Sequence, residues 1–168
     1  MKKLISIVDK LSIGLGKIAA FFVFAVCTLI FIEIILRSVF NKTLFITSEY
    51  AGYAMCIITF LGLAYTLYND GHIRVTIIYS KLSERGKVIC DMINYFIGIL
   101  LCIYIFKATG NLFYNSVIKQ TRSVQVFATY IAIPQFFLPF GTAFITLQYL
   151  CKFIKSFYQF NKLGGEKK

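Results

Sequence analysis

The chain has 168 residues, of which 58% are apolar, 17% are aromatic and only 15% are charged. Soluble domains are about 45–50% apolar and about 25% charged, so the composition excludes an ordinary soluble domain, and the length argues against a two-domain enzyme. The 18 basic residues outnumber the 7 acidic ones and give a net charge of +11. In so apolar a chain, this excess indicates a membrane surface rather than a nucleic-acid partner.

The first segment, residues 3–16, has apolar residues at helical spacing, with most of its charged residues between them. This pattern predicts an amphipathic helix that lies in the membrane interface. An equally good interpretation is that 3–16 forms the first turns of the span that follows. Gly14 and Gly16 favour a bend between the two parts.

Four apolar runs are long enough to cross the roughly 30 Å hydrocarbon core of a bilayer as helices. The first three hold one carboxylate each, and the fourth holds no charge. We therefore predict an all-α integral membrane protein with one four-helix domain at residues 1–162 and a flexible tail at 163–168. The predicted spans are about 18–36, 45–67, 88–106 and 126–151.

The basic residues are distributed unequally between the two sides that these spans define. Thirteen fall before the first span, between the second and third, and after the fourth, whereas five fall in the other two connections. The positive-inside rule then predicts that both termini are cytoplasmic. We expect a multi-pass protein of the bacterial inner membrane.

Carboxylates within the spans are the first candidates for function, since an ionisable group at the centre of a bilayer costs at least about 2.5–3.5 kcal/mol. Glu33 stands four residues before Arg37 near the end of the first span, a spacing that predicts a helical ion pair. Glu49 lies about one turn into the second span. We predict that it faces Lys42 or Arg37 across the short connection.

The sequence contains no pattern that is typical of catalysis or of a cofactor. His72 is the single histidine, the five cysteines form no CxxC pair, and there is neither a nucleophile–base motif nor a Gly-rich phosphate loop. We expect no catalytic residue, no metal ligand and no bound cofactor. Pro134 and Pro139 fall in the fourth predicted span and predict a kink or a local unwinding there.

Five short elements between residues 37 and 134 are less generic than the rest. They are Arg37-Ser38-Val39-Phe40-Asn41, Glu49 early in the second span, Phe60-Leu61-Gly62-Leu63-Ala64, Gly71-His72-Ile73-Arg74-Val75 and Tyr130-Ile131-Ala132-Ile133-Pro134. In this order they resemble the small membrane subunit of tripartite ATP-independent periplasmic (TRAP) transporters, the DctQ-like or Q subunit.

The resemblance implies a non-catalytic part of a sodium-coupled uptake system. In such systems a soluble periplasmic binding protein captures an organic acid, such as a sialic acid or a dicarboxylate, and a large membrane subunit carries it inward. The implied partners are these two proteins and the lipid bilayer, without nucleic acid, and the sodium ions are expected in the large subunit. Structural or partner-contact positions are predicted at Glu33, Arg37, Asn41, Glu49, Gly62, His72, Arg74, Tyr130 and Pro134.

Some of these positions have a predicted physical role. Gly62 should permit the close approach of another helix to the second span. His72 and Arg74 should bond to a loop carbonyl or a lipid headgroup. Lys42, Lys119 and Arg122, on the outer side, are candidates for electrostatic docking of the binding protein.

Two functions of other classes stay open from the sequence. A small homo-oligomeric multidrug exporter would exchange protons at one membrane carboxylate, for which Glu33 is the candidate. A structural subunit or assembly factor of another membrane complex would share the bulk composition and would differ only in the five elements above.

Overall fold

The computed structural model describes residues 2–71, 82–125 and 127–165. All four helices in these ranges are long and apolar enough to cross a membrane. The predicted all-α four-span fold is therefore confirmed. The helices are α1 (Lys2–Phe40), α2 (Ile46–Tyr68), α3 (Glu84–Ile118) and α4 (Ala132–Gly165).

The helix α1 is continuous over 39 residues. Residues 3–16 therefore form its first turns, which is the second of the two interpretations above, and the two glycines do not interrupt it. Gly16 serves a packing purpose instead, because a Cβ at this position would lie 2.5 Å from the ring of Tyr65 on α2.

The last two helices differ from the predicted spans at their ends. The helix α3 begins after Ser83, whose hydroxyl accepts the Gly86 N–H at 3.2 Å, and it continues past residue 106 to Ile118. The helix α4 begins only at Ala132 and continues to Gly165, so the predicted tail at 163–168 is still helical over its first three residues.

Pro134 is buried in the first turn of α4. A missing N–H has no consequence there, because the first N–H groups of a helix have no partner within it. The predicted kink at this residue is therefore wrong, and Pro139 is the proline inside the helix.

The helices are arranged as a row rather than as a closed bundle. α1 packs on α2, α2 on α4, and α4 on α3, and α1 also touches α4. In the described part of the chain, α3 has at most marginal contact with α1 and α2. The row therefore runs α1–α2–α4–α3, and its two edge helices carry most of the exposed apolar side chains.

The two ends of the row differ in what they hold. We call the end with the start of α1 and the end of α4 the terminal side. The other end, with the connections 41–45 and 119–131, is the loop side. Two contacts show that neighbouring helices run antiparallel at the edges of the row: Gly16 of α1 meets Tyr65 of α2, and Phe113 of α3 meets Phe136 of α4.

The close contact between α2 and α4 is made at Gly141 of α4 rather than at the predicted Gly62 of α2. A Cβ on Gly141 of α4 would lie 2.6 Å from the carbonyl carbon of Phe60 on α2. A Cβ on Gly62 would meet no described atom within 4 Å. The prediction that Gly62 permits a close helix approach is therefore wrong within this chain, because Gly62 is not on the face of α2 that α4 covers.

We expect Gly141→Ala to lower the midpoint of thermal unfolding in detergent. Its methyl group has to displace the Phe60 backbone, and overpacking typically costs about 1–3 kcal/mol. Gly62→Ala is the matched control and should leave the midpoint unchanged or slightly raised, because alanine is the better helix former. The reaction of the buried Cys102 and Cys151 with a thiol dye reports unfolding. Equal midpoints for the two variants would contradict the assignment.

Candidate functional site

On the loop side, Glu33 is buried, with only 7% of it exposed, and its carboxylate accepts three hydrogen bonds. Its Oε1 accepts from Arg37 Nη2 at 3.2 Å, which is the ion pair that the spacing predicts. Its Oε2 accepts from the Leu44 N–H at 2.7 Å and from the Thr47 hydroxyl at 3.3 Å. One side chain of α1 thereby holds the start of α2.

The connection between α1 and α2 is shaped so that this contact forms. Asn41 ends α1 with a φ of 51°, a left-handed conformation that asparagine tolerates better than most residues. The Lys42 N–H then turns back to the Leu36 carbonyl at 3.2 Å. No side chain caps α2 at its own N-cap residue, Phe45, so the Glu33 carboxylate supplies the negative charge that a helix start favours.

Glu49 is only 6% exposed, on the part of α2 that faces the 119–131 connection. Its Oε1 accepts from the Tyr53 hydroxyl at 2.7 Å, and the hydroxyls of Ser123 and Thr129 face the same carboxylate. Its Oε2 has no hydrogen bond to a described residue.

The predicted pairing of Glu49 with Lys42 or Arg37 is therefore wrong. Arg37 bonds to Glu33, Lys42 is exposed, and Glu49 is turned away from both, toward Ser123. Glu49 faces the connection between α3 and α4 rather than α1, and its hydrogen bond within the described residues is to Tyr53 of its own helix.

The connection between α3 and α4 has a defined backbone structure in its described residues, 119–125 and 127–131. Arg122 and Tyr130 form an isolated antiparallel bridge, and the Tyr130 hydroxyl donates to the Val117 carbonyl at 3.3 Å. Gln120 and Ala128 both have a φ of 45°, which costs a non-glycine residue roughly 1–2 kcal/mol. Only a connection that is held at many points keeps such residues in place.

The three docking candidates Lys42, Lys119 and Arg122 are all exposed on the loop side. Of the described carboxylates, two are on this side, Glu33 and Glu49, and both are buried. The exposed charge of the loop side is therefore basic. A cavity of about 380 Å³ opens beside Glu33. Its polar lining includes Glu33, Arg37, Thr43, Thr47, Ser48 and Gln125.

The terminal side holds a second polar cluster, which was not predicted from the sequence. Ser12 and Gln148 are fully buried, and the Ser12 hydroxyl donates to Gln148 Oε1 at 3.2 Å. Gln148 Nε2 donates to one Asp9 oxygen at 2.9 Å, and Lys155 Nζ binds the other at 3.0 Å. Gln148 and Lys155 are seven residues apart on one face of α4, a signal that the apolar run hid.

Lys152 joins α4 to the end of α2 in the same region. It is nearly buried and binds Asp70 Oδ1 at 2.6 Å and the Tyr68 carbonyl at 3.2 Å. The two polar clusters lie at opposite ends of the row and fasten helices to one another. His72 and Arg74, the remaining predicted positions, lie outside the described residues.

Within the described ranges, no three His, Cys, Asp or Glu side chains converge as metal ligands would.

Comparison with known proteins gives one family and one relative. The family described as tripartite ATP-independent periplasmic transporters, DctQ component, matches residues 26–159. A TRAP transporter small permease protein of Haemophilus influenzae is 28% identical over 81 residues, which cover 48% of this chain and 50% of that protein. The chain thus spans about half the length of the curated relative that it matches. No solved structure matches.

We expect Glu33→Ala to lower the unfolding midpoint markedly, because it leaves Arg37, Thr47 and the Leu44 N–H without their acceptor. A hydrogen bond to a charged group is worth about 1.5–3 kcal/mol. Glu84→Ala is the control, since the Glu84–Lys87 pair is on the surface and such pairs contribute about 0–1 kcal/mol. A Glu33→Ala midpoint no lower than that of Glu84→Ala would contradict the fastening role.

Proposed function

Because this chain belongs to the DctQ component family of tripartite ATP-independent periplasmic transporters, we propose that it is the non-catalytic small subunit that packs against the large membrane subunit and stabilises it. The large subunit carries an organic acid inward with sodium ions, which it binds itself. A soluble periplasmic binding protein delivers the acid. The observation that carries this proposal is the family match over residues 26–159, which reaches from α1 into α4.

The arrangement of the helices supports a role in packing rather than in transport by this chain alone. A row of helices does not surround an aqueous pathway, and the polar clusters lie at its ends. The edge helices present large apolar side chains, among them Phe24 and Phe31 on α1 and Ile97 and Leu101 on α3. Lipid and a membrane partner are the two surfaces that such faces fit.

The distribution of charge supports a cytoplasmic terminal side. Thirteen of the 18 basic residues belong to the segments at that end, and the positive-inside rule assigns the more basic side to the cytoplasm. The loop side then faces the periplasm of the bacterial inner membrane, where a soluble binding protein approaches.

The basic loop side suits an acidic partner surface. Lys42, Lys119 and Arg122 are exposed there, and the two described carboxylates of that side are buried. Complementary charge raises association rates and orients the partner. We propose that these three residues dock the binding protein.

The multidrug exporter is the weaker alternative. Its proton exchange would need a carboxylate that binds and releases cations, whereas Glu33 is held by three donors close to the loop-side end of α1.

The first test is copurification of the tagged chain from native membranes in a mild detergent. We expect one large, multi-span protein in stoichiometric amount, identified by mass spectrometry, because the small subunit packs against the large one. Recovery of this chain alone, as a stable dimer that binds lipophilic cations and loses that binding with Glu33→Gln, would contradict the proposal and support the exporter.

The second test replaces Lys42, Lys119 and Arg122 by Gln together. We expect the association rate of the binding protein with the membrane complex to fall by about tenfold or more in low salt, because electrostatic steering is lost. The difference from the unmodified complex should shrink in high salt. The control replaces Lys3, Lys10 and Lys17, which are exposed at the other end, and should leave the rate unchanged. Equal rates for the two triple variants would rule out docking at these residues.

A further inference from the structure

The face of α3 opposite α4 changes along its length from exposed apolar to exposed polar side chains. Lys107, Asn111 and Asn115 follow one another at four-residue spacing and are all exposed, whereas Cys102 and Ser116 on the other face are buried. Lys107 has no ion-pair partner among the described residues. A cation and two amides therefore form an unpartnered polar stripe on a helix that crosses the membrane.

Contacts along the row fix the height of Lys107. Phe113 packs against Phe136 of α4 with ring centroids 5.8 Å apart, so counting back along antiparallel helices places Lys107 about level with Gly141. Gly141 contacts Phe60, which is well inside α2. Lys107 is thus level with the interior of α2 and not with its end.

The level of Lys107 can also be transferred to α1, the helix at the other edge of the row. Gly16 of α1 contacts Tyr65 of α2, so the height of Lys107 corresponds to about Phe21 on α1. The apolar run of α1 continues from there to Arg37, about 16 residues or roughly 24 Å farther toward the loop side. The run of α3 therefore stops about 24 Å short of the run of α1.

The terminal side shows the same offset independently. The Gly16–Tyr65 contact places Lys17, the basic residue that begins the apolar run of α1, about level with Ala64 of α2. Ala64 and Cys102 share one core cluster. The basic residue that begins the apolar run of α3 is Lys87. It lies about 15 residues, or roughly 23 Å, from Cys102 toward the terminal side. Both charged boundaries of α3 are thus displaced toward the terminal side by nearly the same distance.

A bilayer perpendicular to the helices would put Lys107, Asn111 and Asn115 in lipid, where unpaired polar groups are costly. An oblique crossing removes the conflict. Because α1 also touches α4, the two edge helices are less than three interaxial distances apart, below roughly 27 Å. An offset of about 24 Å therefore corresponds to a tilt of about 40° or more, at or above the upper end of the range for membrane helices. At this tilt the stretch of about 20 residues from Lys87 to Lys107 covers about 23 Å of the bilayer thickness, and the long lysine side chains extend from its ends toward the two surfaces.

We infer that the row crosses the bilayer obliquely, so that residues 107–118 of α3 emerge on the loop side as a ridge. Its polar stripe, Lys107, Asn111 and Asn115, binds an acidic protein surface, and the exposed Leu112, Tyr114 and Ile118 of the same segment add apolar contact area. Lys107 continues there the exposed basic charge of Lys119 and Arg122, and no exposed carboxylate of the described residues lies on that side. The ligand is the soluble binding protein, and this part rests on the proposed function. The emergence of the ridge from the membrane does not rest on the proposed function.

Cysteine labelling of the full chain in membranes tests the emergence. The background carries Cys27→Ala and Cys90→Ala, because these two native thiols are exposed. A membrane-impermeant maleimide applied from the loop side should label Lys107→Cys and Asn111→Cys within a few-fold of the rate at Lys119→Cys.

Two matched control variants should be labelled at least about tenfold more slowly than Lys107→Cys. They are Leu100→Cys on the same face of α3 and Phe21→Cys at the same height on α1. An unlabelled Lys107→Cys beside a labelled Lys119→Cys would overturn the oblique crossing, whatever transporter the chain serves.

Protection by the binding protein tests the ligand. With the complete transporter, an excess of the binding protein should slow the labelling of Lys107→Cys several-fold at 50 mM NaCl and less at 500 mM NaCl. Labelling that is unaffected at both salt concentrations would overturn the docking surface. Copurification of the large subunit tests the proposed function separately, so its failure is distinguishable from either of these results.

Discussion

The Glu33 carboxylate fixes the start of α2 to α1, and the rest of the row is built on that pair. Helices in lipid gain little from burying apolar surface against each other, because the lipid tails are as apolar as leucine. Specific contacts must therefore hold them. Glu33 supplies such a contact at the loop side, Gln148 supplies one at the terminal side, and Gly141 lets α4 approach α2 between them. Each joins a different part of the row.

Much of this fold was predictable because a bilayer limits what a spanning segment can be. Run length alone identified four helices, and the four-residue spacing identified the Glu33–Arg37 pair. Helix ends were harder, since hydropathy detects the part that suits lipid and α3 continues beyond it to Ile118. The surroundings of Glu49 depend on how the connection between α3 and α4 folds, and the choice between Gly62 and Gly141 depends on which face of α2 meets α4. No local pattern contains either fact.

Membership of the DctQ family agrees with a chain whose polar side chains mostly serve to join helices. The described residues place their buried carboxylates and amide near the two ends of the row, whereas the buried Thr142 hydroxyl in the middle bonds to carbonyls of its own helix. The middle is packed with aromatic and aliphatic side chains, as in the cluster of Leu15, Ile57 and Leu61 with its neighbouring phenylalanines.

The backbone of 119–131 has a consequence for any encounter on the loop side. In its described residues, 119–125 and 127–131, a backbone bridge and two left-handed residues, Gln120 and Ala128, form a defined turn. A flexible loop loses conformational entropy when it is captured, and that loss is subtracted from the binding free energy. A loop that is already ordered avoids most of this loss. Even a brief, weak encounter at this surface is therefore selective, because its shape is set before contact.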